Sequence, residues 1–68
     1  MRSYQIDLIH TNGARENRRG FHNLDRTIAR AEYLYGVVED LDRIEIYSDG
    51  GRYLGKFTGT FIPEMTRA

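Results

Sequence analysis

One stretch with helical periodicity lies between two glycine-bearing turn signals, Asn12-Gly13 and Asp49-Gly50-Gly51, and that arrangement constrains the fold more than anything else in the chain. Leu24, Ile28, Ala31 and Tyr35 recur at spacings of four, three and four, a single apolar stripe with Leu34 beside it. Asn23 is placed to cap the first turn, its side-chain oxygen accepting an otherwise orphaned backbone N–H. Gly36 follows Tyr35 as a residue able to end the helix in a left-handed conformation. The spacing therefore predicts a helix from Leu24 to about Tyr35. Its opposite face carries Arg26, Arg30 and Tyr33 at i, i+4 and i+7.

The flanking segments read as hairpins. From Ser3 to His10, Tyr4, Ile6 and Leu8 alternate with Gln5 and Asp7, as a half-buried strand requires. Asn12-Gly13 reads as a two-residue type I′ turn. That turn pairs Thr11 with Ala14, Ile9 with Glu16, Asp7 with Arg18 and Tyr4 with Phe21. The returning segment, with Ala14-Arg15-Glu16-Asn17-Arg18-Arg19-Gly20, has almost nothing apolar to bury and is expected to be a short, irregular edge strand whose charges deter unwanted pairing. After Val37-Val38 an acidic connection, Glu39-Asp40-Leu41-Asp42, leads to a third strand from Arg43 to Ser48, in which Ile44 and Ile46 alternate with Glu45 and Tyr47. Arg52 to about Phe61 is expected to return as the fourth strand. If Gly50-Gly51 is the loop, Glu45 meets Lys56, Ile44 meets Phe57 and Tyr47 meets Leu54; a three-residue loop shifts these by one. Gly55 and Gly59 mark bulges or the close approach of another backbone. Pro63 ends the strand, and residues 64–68 form a frayed tail.

The expectation is thus an α+β fold, ββαββ, with one helix lying across one antiparallel sheet made of two hairpins. A chain of 68 residues has room for one domain over residues 1–68. With no cysteine there is no disulfide staple, which keeps self-association open as an aid to stability and fits a reducing cytoplasm. Met1 to Asp7 lacks the apolar stretch of a signal peptide, and no run approaches the roughly 20 apolar residues of a membrane span. A cytoplasmic location is the expectation.

Formal charge is zero, against a surface built wholly for nucleic acid. The distribution is polarised: residues 1–30 carry six arginines against Asp7, Glu16 and Asp25, and residues 31–68 carry four cations against seven acids. Nine of the ten cations are arginine, whose planar fork suits bidentate contact with carboxylate or phosphate and stacking on aromatic rings, although a GC-rich genome yields the same ratio.

Candidate chemistry is thin. His10 and His22, with Asp7 or Asp25, match no established metal-ligand spacing, and no metal or other cofactor is expected. Glu39, Asp40 and Asp42 form the only carboxylate cluster, in a loop that reads as a solvated turn rather than a burial-tuned acid–base pair. Ser3 and Ser48 have no recognisable base. Gly50-Gly51 beside Arg52 lacks the strand–loop–helix context of a phosphate cradle. No enzyme is expected.

What remains is binding. Arg15, Arg18, Arg19, Arg26 and Arg30, with Tyr33 among them, are expected to form the contact surface, the arginines meeting acidic or phosphate groups and Tyr33 supplying apolar area. The partner is expected to be a protein; direct binding of nucleic acid through the same arginine-rich hairpin and helix face is the alternative, and a homo-oligomer the third reading. In general character the short cysteine-free chain, the order hairpin, helix, hairpin, and the mixed arginine and acidic surface resemble small phage or mobile-element inhibitor proteins of the anti-CRISPR kind. That resemblance implies a non-enzymatic inhibitor that occupies a nucleic-acid or partner site on a larger nucleoprotein complex. It carries over no functional residue.

Overall fold

Ile6 and Leu8 on one strand, and Ile46 and Ile44 on another, alternate with polar residues at period two, and the fold sets these two strands side by side with Ile6 opposite Ile46 and Leu8 opposite Ile44. The computed structural model describes residues 3–64. Its elements run β1 (Tyr4–His10), β2 (Arg15–Phe21), α1 (Leu24–Val37), β3 (Leu41–Ser48), β4 (Tyr53–Phe57) and β5 (Phe61–Pro63). The strands form one antiparallel sheet in the order β2-β1-β3-β4-β5, joined through β1 and β3, with α1 across one face. No helix among the described residues is long and apolar enough to cross a membrane.

Between sheet and helix lie Ile6, Leu8, Ile44, Ile46 and Phe57 from the strands and Ala31 and Leu34 from α1, ringed by Phe21, Leu24, Ile28, Tyr35, Val38, Leu41, Leu54 and Phe61. Each fully buried isoleucine or leucine contributes about 1.5–3 kcal/mol relative to exposure. The stripe expected of the helix is the one that packs. Asn23 Oδ1 accepts the Arg26 N–H at 3.1 Å, the expected N-cap. Thr27, fully buried, donates its hydroxyl to Asn23 O at 2.7 Å, so the polar group nearest the core is satisfied within its own helical turn.

Several local expectations are corrected. Gly36 does not stop the helix: only Gly13, Gly20, Gly51, Gly55 and Gly59 among the glycines have positive φ, and α1 continues to Val37 and ends at Val38, whose N–H reaches Leu34 O. The first turn is not type I′. Gly13 alone is left-handed (φ +91), and His10 donates to Ala14 O at 2.8 Å around the three residues Thr11, Asn12 and Gly13. Asn12 Oδ1 steadies this loop by accepting the Ala14 N–H at 2.9 Å. The extra residue moves the register by one: Ile9 faces Arg15, Leu8 faces Glu16, Asp7 faces Asn17 and Ile6 faces Arg18. A bulge at Gly20 then restores the expected pairing of Tyr4 with Phe21.

The second hairpin behaves alike. Asp49, Gly50 and Gly51 form a three-residue loop closed by Ser48 N–H to Arg52 O, Tyr47 pairs with Tyr53 rather than Leu54, and a bulge at Leu54 restores Glu45–Lys56 and Ile44–Phe57. The expected fourth strand is two. It breaks at Thr58-Gly59-Thr60 and folds back as β5, so the order is ββαβββ. Gly55 permits the fold-back: a Cβ there would stand 2.5 Å from Ile62 O and 2.9 Å from the Pro63 Cα. Strand β3 begins two residues earlier than expected, at Leu41, and Glu64 is tied in by its N–H to Leu54 O. The rest of the expected tail, residues 65–68, lies outside the described residues.

Candidate partner-binding surface

The register of β2 decides where its arginines go. Residues opposite Ile6 and Leu8 share the helix side of the sheet, so Arg18 and Glu16 lie there, while Arg15, Asn17 and Arg19 fall on the open face with Gln5, Asp7 and Ile9. The six residues expected to form one surface are therefore divided between two faces.

Arg15 belongs to a network on the open face. Its Nη2 lies 3.0 Å from Asp7 Oδ2 and 3.0 Å from Glu45 Oε1. Tyr47 donates its hydroxyl to Glu45 Oε1 at 2.7 Å, and Arg43 donates Nε to Glu45 Oε2 at 2.9 Å. Asn17 adds a donor to Asp7 Oδ1 at 2.7 Å and one to Gln5 at 3.1 Å. Burial pushes the Glu45 carboxyl up, but the hydrogen bonds from Tyr47 and Arg43 and the charge of Arg43 outweigh it and hold it below the usual carboxylate range. The same contact pushes the Tyr47 phenol up. Under this network Ile9, opposite Arg15 and Arg43 on its two neighbouring strands, is only 6% exposed. Arg15 thus serves the sheet, its charge met by two carboxylates on the open face.

Arg26, Arg30 and Tyr33 stand together as expected on the outer face of α1. The Arg30 Cζ lies 5.6 Å from the centre of the Tyr33 ring, a cation–π arrangement. Arg26, Ala29, Arg30 and Tyr33 line a shallow groove of about 380 Å³. Sequence reasoning missed Val37, one turn beyond Tyr33: ending the helix at Gly36 placed it in a loop, whereas on the helix it continues the same row. Tyr33 is 58% exposed and Val37 57%, two large apolar side chains turned to solvent.

A second groove, of about 290 Å³, joins helix to sheet edge, lined by Arg18, Arg19, Phe21, Arg30 and Leu34. Arg18 is engaged with Glu16 Oε2 at 2.8 Å, and Arg19 Nε donates to Asn17 at 2.9 Å. Among the described residues Arg19, Arg26 and Arg30 form no ion pair. Five of the six expected residues are therefore linked by two grooves that share Arg30.

The remaining candidates do not assemble. His10 stands beside the first turn and His22 follows Phe21, so they lie at opposite ends of the hairpin, roughly 20 Å apart along six residues of strand. Among the described residues no group of three or more histidine, cysteine, aspartate or glutamate side chains could hold a metal ion. Glu39, Asp40 and Asp42 are exposed, and Asp42 takes a hydrogen bond from Arg43. No protein-family model, no curated protein and no solved structure matches this chain.

Proposed function

We propose that this protein is a non-enzymatic protein-binding module whose contact surface is the outer face of α1, centred on Tyr33 and Val37 and flanked by Arg26 and Arg30. The observation that carries this reading is the exposure of Tyr33 and Val37 in one row beside arginines that form no ion pair among the described residues. An isolated exposed apolar side chain needs no explanation; a tyrosine packed against an arginine next to a second apolar residue has the composition of an interface centre. Arg18 extends the surface across the adjoining groove toward β2, with Arg19 at the rim and its side chain on the open face. In keeping with the resemblance in general character, the role suited to such a module is that of an inhibitor occupying a protein surface on a larger nucleoprotein assembly.

Nucleic acid is the less suited partner. Arg15 and Arg18 are already neutralised by internal carboxylates, which leaves few cations to follow a phosphate backbone. Affinity capture from a nuclease-treated host lysate, with wild type beside Tyr33→Ala and Arg30→Ala, tests the reading. A discrete protein is expected to survive nuclease and moderate salt on wild type and to be lost on both variants. Capture abolished by nuclease, or equal on all three proteins, would overturn it.

A further inference from the structure

The sheet has two edges, and they are built differently. Strand β5 is three residues long and ends on Pro63, a short edge without a donor at its last position. Strand β2 is seven residues long, and every residue from Arg15 to Gly20 is exposed, so neither helix nor loop among the described residues covers it. His10 N–H bonds to Ala14 O, which fixes the alternation along the β1–β2 ladder. Glu16 and Arg18 turn their backbone groups toward β1. Arg15, Asn17 and Arg19 turn theirs outward, three N–H and C=O pairs over roughly 13 Å.

Resting on the reading of this molecule as a protein-binding module, we infer that the free edge of β2 accepts an acidic, extended segment of the partner as a sixth strand of the sheet. Charge selects the occupant. Arg15 is held by Asp7 and Glu45 and Arg18 by Glu16, which leaves Arg19 on the edge, and Arg30 and Arg26 of α1 beside its helix side, as cations without an ion pair among the described residues. A second copy fits poorly. Laid antiparallel about Asn17 it gains two Glu16–Arg18 pairs but sets Arg15 against Arg19 twice, and about Arg18 it sets that arginine against itself. An acidic strand meets no such repulsion. Its alternate side chains fall beside Arg19 on the open face, and beside Arg18 and Arg30 over Phe21 and Leu34 on the helix face. Arg19, which opposes a second copy, is with Arg30 and Arg26 a cation that selects this segment.

The test uses a short synthetic peptide alternating glutamate with valine, a lysine–valine counterpart, and a glutamate–valine peptide N-methylated at consecutive backbone nitrogens, which keeps the charges but leaves neither edge able to donate to a ladder. Binding is followed by calorimetry and by amide hydrogen exchange of the intact protein. The acidic peptide is expected to slow exchange at Arg15, Asn17 and Arg19, and its affinity to fall about tenfold or more on N-methylation or on replacement by the lysine peptide. Equal binding of the methylated peptide, or no binding of the acidic one, would overturn strand addition. So would protection of the same amides that rises with protein concentration alone, which marks a second copy, or protection given equally by an oligothymidylate. Peptide binding to Tyr33→Ala separates the two readings: loss of edge protection alongside persistent Tyr33-dependent protein capture removes the sixth strand and leaves the helix face standing, whereas edge protection in the absence of such capture does the reverse.

Discussion

Asp7 and Glu45 stand directly opposite each other on β1 and β3, and one nitrogen, Arg15 Nη2, lies 3.0 Å from a carboxylate oxygen of each. Two like charges facing across an antiparallel pair are destabilising, so the arginine of the edge strand makes the pairing of the two central strands tolerable. A residue that looks like part of a binding patch in the sequence is, by position, a counter-ion of the sheet.

Replacing Arg15 by Met, which keeps the aliphatic stem near Ile9 and removes the charge, is expected to lower the urea midpoint at neutral pH. The sign of the pH dependence follows from Glu45. Its value in the folded protein is depressed, so its contribution is full above the unfolded value and is lost as pH falls through the folded one. In the variant Glu45 keeps Asp7 opposite it and loses one cation, so its value rises. The difference in stability between the two proteins is therefore largest near neutrality and closes as pH falls through the carboxylate range and below it. Urea titrations across that range check it. The absence of any difference across that range would mean that Arg15 acts by covering Ile9, which Met also does, and not by charge.

Gly55→Ala is expected to detach β5. The new methyl would stand 2.5 Å from Ile62 O and 2.9 Å from Phe61 Cε1, and backbone on a neighbouring strand cannot yield as a flexible side chain does. A cost of roughly 2 kcal/mol or more follows from overpacking of this kind. Amide exchange should accelerate at Ile62 and Glu64, whose N–H groups face β4, before the central strands respond. Unchanged exchange there would disprove the close approach.

The pair Ile46→Ala and Ile62→Ala separates core from edge. Ile46 is fully buried between β1 and the helix, and its truncation costs about 2–5 kcal/mol. A domain of this size holds on the order of 3–5 kcal/mol in all, so the Ile46 variant is expected to be largely unfolded at 25 °C. Ile62 is 41% exposed, and its truncation should stay within about 0.5 kcal/mol. Circular dichroism melts of both variants check the contrast. A well-folded Ile46 variant would show that the core lies elsewhere.

The parts of this fold legible in the sequence were those set by periodicity: the α+β class, the helix stripe through Leu24, Ile28, Ala31 and Tyr35, the Asn23 cap, and the alternation of Ile6, Leu8, Ile44 and Ile46. Position along the chain and the face it occupies were less legible, because both depend on single residues. One added loop residue at each hairpin moved the register, and one bulge at Gly20 or Leu54 moved it back, so Tyr4–Phe21 and Ile44–Phe57 agree with a two-residue turn while Asp7–Arg18 does not. Glycine signals a turn without stating its length. Alternation parts Arg18 from Arg19 in either register, and the shift decides which face each takes, turning Arg15 onto the open face beside Asp7 and Glu45. Strand order left no local trace, since β1 and β3 meet across β2, α1 and three connections. Val37 was missed for a related reason, a glycine read as a stop where the apolar row continued.

Gly36 offers the sharpest test of that last point. As a left-handed cap it would resist any side chain, and alanine there would cost about 1 kcal/mol or more. Here it lies inside the last turn of α1 without a positive φ, and nothing stands within 4 Å of the position a Cβ would take. Alanine loses less backbone freedom on folding than glycine and favours the helix, so Gly36→Ala is expected to stabilise the protein by about 0.5–1 kcal/mol. For a domain of this size that is a rise in melting temperature of about 3–8 °C. The same change firms the turn that presents Tyr33 and Val37, so partner capture through the helix face should be retained or strengthened. A fall in melting temperature would restore Gly36 as the helix stop and remove Val37 from the row on which the proposed surface is centred.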